Sequence, residues 1–301
     1  MSQSLFQPPL TFLNLPLSTD FKNADVAILG IPYDCARDMI RFGSRLGPNS
    51  VRHASILTAK LIKDADPSPF DTIEVIDCGN VALSLEDIDQ AFDQIEKAID
   101  RILQDKCIPL TVGGDGAVSL PQMRALHKKF GKFAVIHIDA HTDAWPVGDD
   151  IPFTNANQFT HAVKENLVDL DAAIHLGTRG PVNANAAIEH AREMGYDVIP
   201  FEQYQSMGVD EALSHVINKV GERPVFVCFD MDFFDPCMVP GVATPTPGGA
   251  LPVDGLSLMK GMKSLNVIAV DINTTTPVHD PSGATSNLAA GLVAEALNVL
   301  S

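Results

Sequence analysis

The chain has 301 residues, 46% of them hydrophobic, which suffices to bury the core of one large α/β domain over 1–301, and no linker marks a second domain. A formal net charge of -17 argues against nucleic acid or an anionic membrane as partner, since both would be repelled. No apolar run is long enough to cross a bilayer, and "MSQSLFQPPL" lacks the basic start and apolar stretch of a signal peptide, so the expected compartment is the cytoplasm.

Taken in chain order, short β-rich apolar runs begin at 26 ("VAILGIP"), 73 ("IEVID"), 108 ("IPLTVGG"), 133 ("FAVIHIDAH"), 173 ("AIHLGTR"), 196 ("YDVIP"), 224 ("PVFVCFDMD") and 267 ("VIAVDIN"). Amphipathic stretches over 85–104 and 209–222 predict helices between them. Near-continuous apolar strands alternating with helices imply a parallel sheet covered on both faces, either open and doubly wound or closed as a barrel. The segment 147–160 shows no clear periodicity and follows a strand end, where α/β proteins place functional loops. Cys35, Cys78, Cys107, Cys228 and Cys237 have no metal-ligand spacing and read as reduced thiols, mostly small core residues.

Two strand ends carry acid-rich clusters. "IDAHTD" supplies Asp139, His141 and Asp143, and "CFDMDFFDP" supplies Asp230, Asp232 and Asp235. Side chains two apart on a strand point the same way, so Asp139 with His141, and Asp230 with Asp232, are expected to converge beyond the sheet. An Asp at a strand end commonly only caps a turn. Two such clusters shift the balance, because four carboxylates at one sheet edge repel unless a cation sits between them. Hard oxygen donors with one imidazole suit Mn2+ or Ni2+ ahead of Zn2+.

These residues resemble the ureohydrolases, the family of arginase and agmatinase. "GIPYDCARDMIRFGSRLGPNSVR", "DAHTD", "FDMDFFDP", "PGVATPTPGGAL" and "HDPSGATSNLAA" carry the likeness over most of the chain. The resemblance implies a three-layer α/β fold with a central eight-stranded parallel sheet flanked by helices, assembly into trimers or hexamers, and a dinuclear manganese or nickel centre. It also implies attack of metal-bound hydroxide on a guanidinium carbon, releasing urea and an amine.

Three positions depart from the family pattern. "VGGDG" places Gly116 where the family has a metal-binding histidine. The first metal would then keep Asp139, Asp143 and Asp230, while the second would keep Asp139, His141, Asp230 and Asp232. "NANQF" places Asn155 where the family's loop histidine transfers protons, with His161 nearby as a possible substitute. "DINTTTP" places Thr274 where a glutamate pairs with the guanidinium, and Asp271 matches a different family position. Losing that carboxylate removes a charge-assisted contact of about 2 kcal/mol or more.

The expected function is therefore a subunit with a degenerate site, holding at most one ion, beside a catalytic paralogue in a complex that hydrolyses a guanidine or biguanide. The alternatives are an active hydrolase of a guanidino, amidino or biguanide compound with an altered centre, and a sensor using the old pocket. Histidine restored at 116 is expected to recover the second ion, because the surrounding loop is otherwise intact.

Overall fold

The computed structural model describes residues 9–35, 41–84, 87–147, 153–181 and 185–301. Within them lie β1 (Val26–Gly30), α1 (Gly47–Lys63), β2 (Val75–Asn80), α2 (Ile88–Gln104), β3 (Ile108–Val112), α3 (Ser119–Phe130), β4 (Phe133–Ile138) and α4 (Gln158–Lys164). β5 (Val168–Thr178), α5 (Asn185–Glu193), β6 (Asp197–Pro200), α6 (Phe201–Val220), β7 (Pro224–Asp230), α7 (Pro252–Gly261), β8 (Asn266–Asn273) and α8 (Ala284–Leu300) complete the series.

The strands form one parallel sheet in the order β2-β1-β3-β8-β7-β4-β5-β6. It is open, with β2 and β6 at its edges, which settles the choice against a barrel. Alternation sends successive strand residues to opposite faces, and both faces are dry. Val26 and Ile28 join one apolar cluster with α1, α6, α7 and α8, whereas Ala27 and Leu29 join the other with α2, α3, α4 and α5. The three-layer arrangement follows.

Helix α2 shows how the sequence writes such a layer. Asp87 caps it by accepting from Gln90 N at 3.0 Å, and its buried side chains, among them Phe92, Ile95, Ile99 and Ile102, recur at helical spacing. Residues 85 and 86, expected to open this helix, lie outside the described residues, as do 36–40 of the first motif, 148–152 of the loop and 1–8. Helix α6 starts at Phe201, earlier than 209, because it runs through Gly208, whose φ of 73° breaks the regular pattern read from the sequence. Likewise 158–160, expected as loop, are the first residues of α4. Cys35, Cys107 and Cys228 are buried, Cys78 is half-buried and Cys237 is exposed.

Strand order is what positions the site. After β3 the chain crosses to β4, leaving room that β8 and β7 later fill, so β3, β8, β7 and β4 become adjacent. Gly116, Thr274, Asp230 and Asp139 follow or end those four strands. Residues far apart in sequence thus meet at the carboxyl edge, where open α/β sheets bind ligands.

Candidate metal centre at the strand ends

Two glycines let the loop after β3 approach its neighbours. A Cβ on Gly114 would strike the Tyr33 carbonyl, and one on Gly113 would sit 2.7 Å from Asn273 Cβ. Asp115 then caps the turn, its Oδ1 accepting from Ala117 N at 3.0 Å and its Oδ2 from Cys35 N, so the loops after β1 and β3 are tied together. Burial raises the Asp115 carboxyl to about 7.

The acidic clusters converge except for Asp235, which instead accepts from the backbone N–H groups of Cys237, Gly248 and Gly249, and they do not converge by strand alternation. β4 ends at Ile138 and β7 at Asp230, so Asp139, His141, Asp143 and Asp232 are placed by the turns that follow. Asp139 Oδ1 accepts from His141 N at 2.9 Å, closing one turn, and Asp232 lies in a single 3-10 turn over Met231–Phe233. Arg179 braces that second turn by donating to the carbonyls of Asp232 at 2.8 Å and Thr246 at 2.7 Å. Asp143 adopts φ of 48°, a left-handed conformation costly for most residues that clusters at functional sites.

His141 Nδ1 lies 3.3 Å from both Asp139 Oδ1 and Asp232 Oδ2. Its Nε2 is 3.2 Å from Thr246 Oγ1. Beneath them His137 Nε2 lies 3.2 Å from Asp139 Oδ2 and 3.6 Å from Asp230 Oδ1, without hydrogen-bond alignment to either. All of these side chains are almost completely buried.

Burial and mutual repulsion separate the carboxyls. Burial and the Asp139 charge push Asp232 up to about 8 and Asp230 up to about 6. The same two causes push Asp143 well above the usual range. Asp139 goes the other way, because His141 and the surrounding hydrogen bonds outweigh its burial. His141 is raised well above its ordinary value: burial opposes the shift, and the Asp232 and Asp139 charges overcome it. Four carboxylates here need positive charge, supplied by protons or by a cation.

The donors fall into overlapping groups. Asp139, His141 and Asp232 offer atoms within 4.8 Å of one another, as do His137, Asp139, Asp143 and Asp230, and His137, Cys228 and Asp230. Asp139 Oδ2, His137 Nε2 and Asp232 Oδ1 are buried without hydrogen-bond partners, and a cation beside them would satisfy them. Asp139, His141 and Asp232 therefore fit an ion. On the side of position 116 Gly116 offers no donor and Asp143 Oδ2 already accepts from Gln158 Nε2 at 2.6 Å, which leaves His137, Asp139, Asp143 and Asp230 as the donor group there.

The other two departures are equally occupied. Asn155 Oδ1 accepts from the Cys35 thiol at 3.3 Å. Thr274 Oγ1 accepts from Met231 N at 3.0 Å and donates to Asn273 O at 2.8 Å, with the backbone at φ of 66°. Asp271 cannot stand in for a carboxylate at 274, since it sits on β8 opposite Thr111 of β3, accepting from Thr111, Ser119 and Asn273. His161 packs its ring on Phe153 at 4.7 Å, and burial lowers its basicity. It joins none of the donor groups among the described residues.

The Arginase family model matches residues 24–298. The chain belongs to the arginase family. It is 34% identical over 279 residues to guanidinobutyrase of Pseudomonas aeruginosa, covering 92% of this chain and 86% of that relative. The crystal structure of proclavaminate amidino hydrolase from Streptomyces clavuligerus superposes with a TM-score of 0.90 at 31% identity, over 98% of this chain and 97% of that one. Trypanosoma cruzi formiminoglutamase with two Mn2+ shares the fold, with a TM-score of 0.83 at 20% identity over 95% and 96% of the two chains.

Proposed function

We propose that this arginase-family chain is a subunit with a degenerate site, non-catalytic or regulatory, that works beside a catalytic paralogue in a guanidine or biguanide hydrolase. Metformin hydrolase, a heteromeric nickel-dependent relative that converts a dimethylbiguanide to guanylurea and dimethylamine, is one arrangement of this kind. One observation carries the reading: at 116, 155 and 274 the residues present offer no metal ligand, acid-base group or carboxylate. Each is instead engaged internally, Gly116 beside Gln158, Asn155 with Cys35, and Thr274 with Met231.

The retained chemistry is partial. Asp139, His141, Asp230 and Asp232 would hold one Ni2+ or Mn2+, which when bound lowers the pKa of water and polarises a substrate. Around that position no carboxylate at 274 orients a guanidinium, and Asn155 cannot exchange a proton near neutral pH. We place the protein in the cytoplasm, as a single domain over 1–301 within a trimer or hexamer. The family match over most of the chain supports the domain reading. No helix among the described residues is long and apolar enough to cross a membrane.

The retained donors favour a second reading, an active hydrolase of a guanidino, amidino or biguanide compound using one ion. The deciding experiment is purification from a host lacking any paralogue, alone and after co-expression with one carrying the intact Gly-Gly-Asp-His motif. Turnover only in the co-purified complex supports the first reading. Turnover by the chain alone, abolished by Asp230→Ala, replaces it with the second.

A further inference from the structure

The position vacated at Gly116 is filled. A Cβ built there would lie 2.8 Å from Gln158 Nε2 and 3.1 Å from Asp143 Oδ2, so the Gln158 amide occupies the space where a longer side chain would begin. The backbone is not the obstacle, because Gly116 lies outside the positive-φ region that only glycine enters easily. Gln158 is 1% exposed and is the first residue of α4, and its hydrogen bond to Asp143 Oδ2 is charge-assisted whenever that carboxyl is ionised. The next residue adds a second tie, Phe159 N donating to Asp143 O at 3.1 Å. Together they hold Asp143 in its left-handed conformation from one side.

We infer that Gln158 closes the first metal position: its amide takes the place of the missing ligand and holds the Asp143 carboxyl as an inward-facing cation would. The inference rests on the reading that the first position is degenerate, and it goes further by naming the residue that keeps it shut. It bears on the expectation that histidine at 116 is sufficient, since the Cβ would require the Gln158 amide to swing away from Asp143 first. It also gives the chain a centre that keeps its shape without an ion there. Such a subunit need not compete for the metal its partner requires.

The test counts metal and needs no turnover, so failure of the subunit reading leaves it unaffected. The full-length chain is dialysed against Mn2+ and, separately, Ni2+, and bound metal is measured by elemental analysis, with circular dichroism checking the fold. Wild type and Gly116→His should each retain at most about one equivalent, whereas Gly116→His/Gln158→Ala should gain about one more. Gly116→His/Gln158→Ser repeats the measurement should the alanine variant be unstable. Two tightly held equivalents in wild type or in Gly116→His alone would overturn the inference. So would a folded double variant that gains nothing, or a second wild-type equivalent lost on His137→Gln, which would mean that the sheet-side histidine supplies the ligand.

Discussion

The Nδ1 atoms of His137 and His175 face each other at 2.8 Å across adjacent strands β4 and β5, so one ring must donate and the other accept. Burial and then the charge on His137 hold His175 well below its ordinary value, which makes it the neutral acceptor. His137 resists its own burial because Asp139 and Asp230 raise it to about 10. In the absence of a cation these carboxylates therefore favour the protonated form of His137.

Replacing the acceptor should expose this dependence. His175→Phe leaves the His137 N–H unpaired in a dry layer beside Phe159 and Tyr196, at a cost of about 2 kcal/mol. His175→Gln keeps a carbonyl acceptor and should cost less. Urea unfolding of both variants measures the difference, and an equal loss in the two would show that packing alone matters.

His137 was legible in principle, since in "FAVIHIDAH" it stands two residues before Asp139. It sits inside the apolar run of β4, whereas the acid-rich pattern draws attention only beyond that run's end. Gln158 carried no local signal, because its importance depends on α4 folding back over a loop more than forty residues earlier in the chain, and the region read as aperiodic. The sheet itself was readable because a parallel sheet dry on both faces demands continuous apolar runs. Which acids would meet was also readable, from strand ends. How they meet was not, since turns rather than alternation place Asp139, His141 and Asp232.

The metal-free chain should lose stability as pH rises. A carboxyl raised on folding contributes fully below its unfolded value of 3.8 and loses that contribution up to its folded value, which for Asp232 is about 8. His137 acts in the same direction between 6.5 and about 10. Melting temperature in chelator should therefore fall between roughly pH 5 and pH 8, and Asp232→Asn, which removes one titrating group, should flatten the fall. An identical pH slope in the variant would remove Asp232 from the account.

Binding of an ion at His141 should depend on a residue that does not touch it. If Thr246 Oγ1 accepts from His141 Nε2–H, the Nδ1 lone pair is left facing Asp139 and Asp232. Thr246→Val should weaken Ni2+ or Mn2+ binding by about 10-fold or more, and His141→Asn should abolish it. Isothermal titration reads both, and unchanged affinity in Thr246→Val would show that the tautomer is set elsewhere.

Restoring the ligand should not restore the reaction. Gly116→His/Gln158→Ala supplies a donor and the space for it, yet Asn155 still cannot move a proton and Thr274 still cannot hold a cation. Positioning and proton transfer each contribute on the order of 10²-fold or more, so the double variant should remain several powers of ten below an active family member. Adding Asn155→His and Thr274→Glu makes the fair test. At 274 the backbone already sits at φ of 66°, where an unbranched glutamate is less strained than threonine, although the bond from Met231 N is lost. Assays with agmatine, guanidinobutyrate and metformin should then find turnover only in the four-fold variant, if in any. Hydrolysis by the double variant near the rate of an active relative would mean that a missing ion was the whole defect.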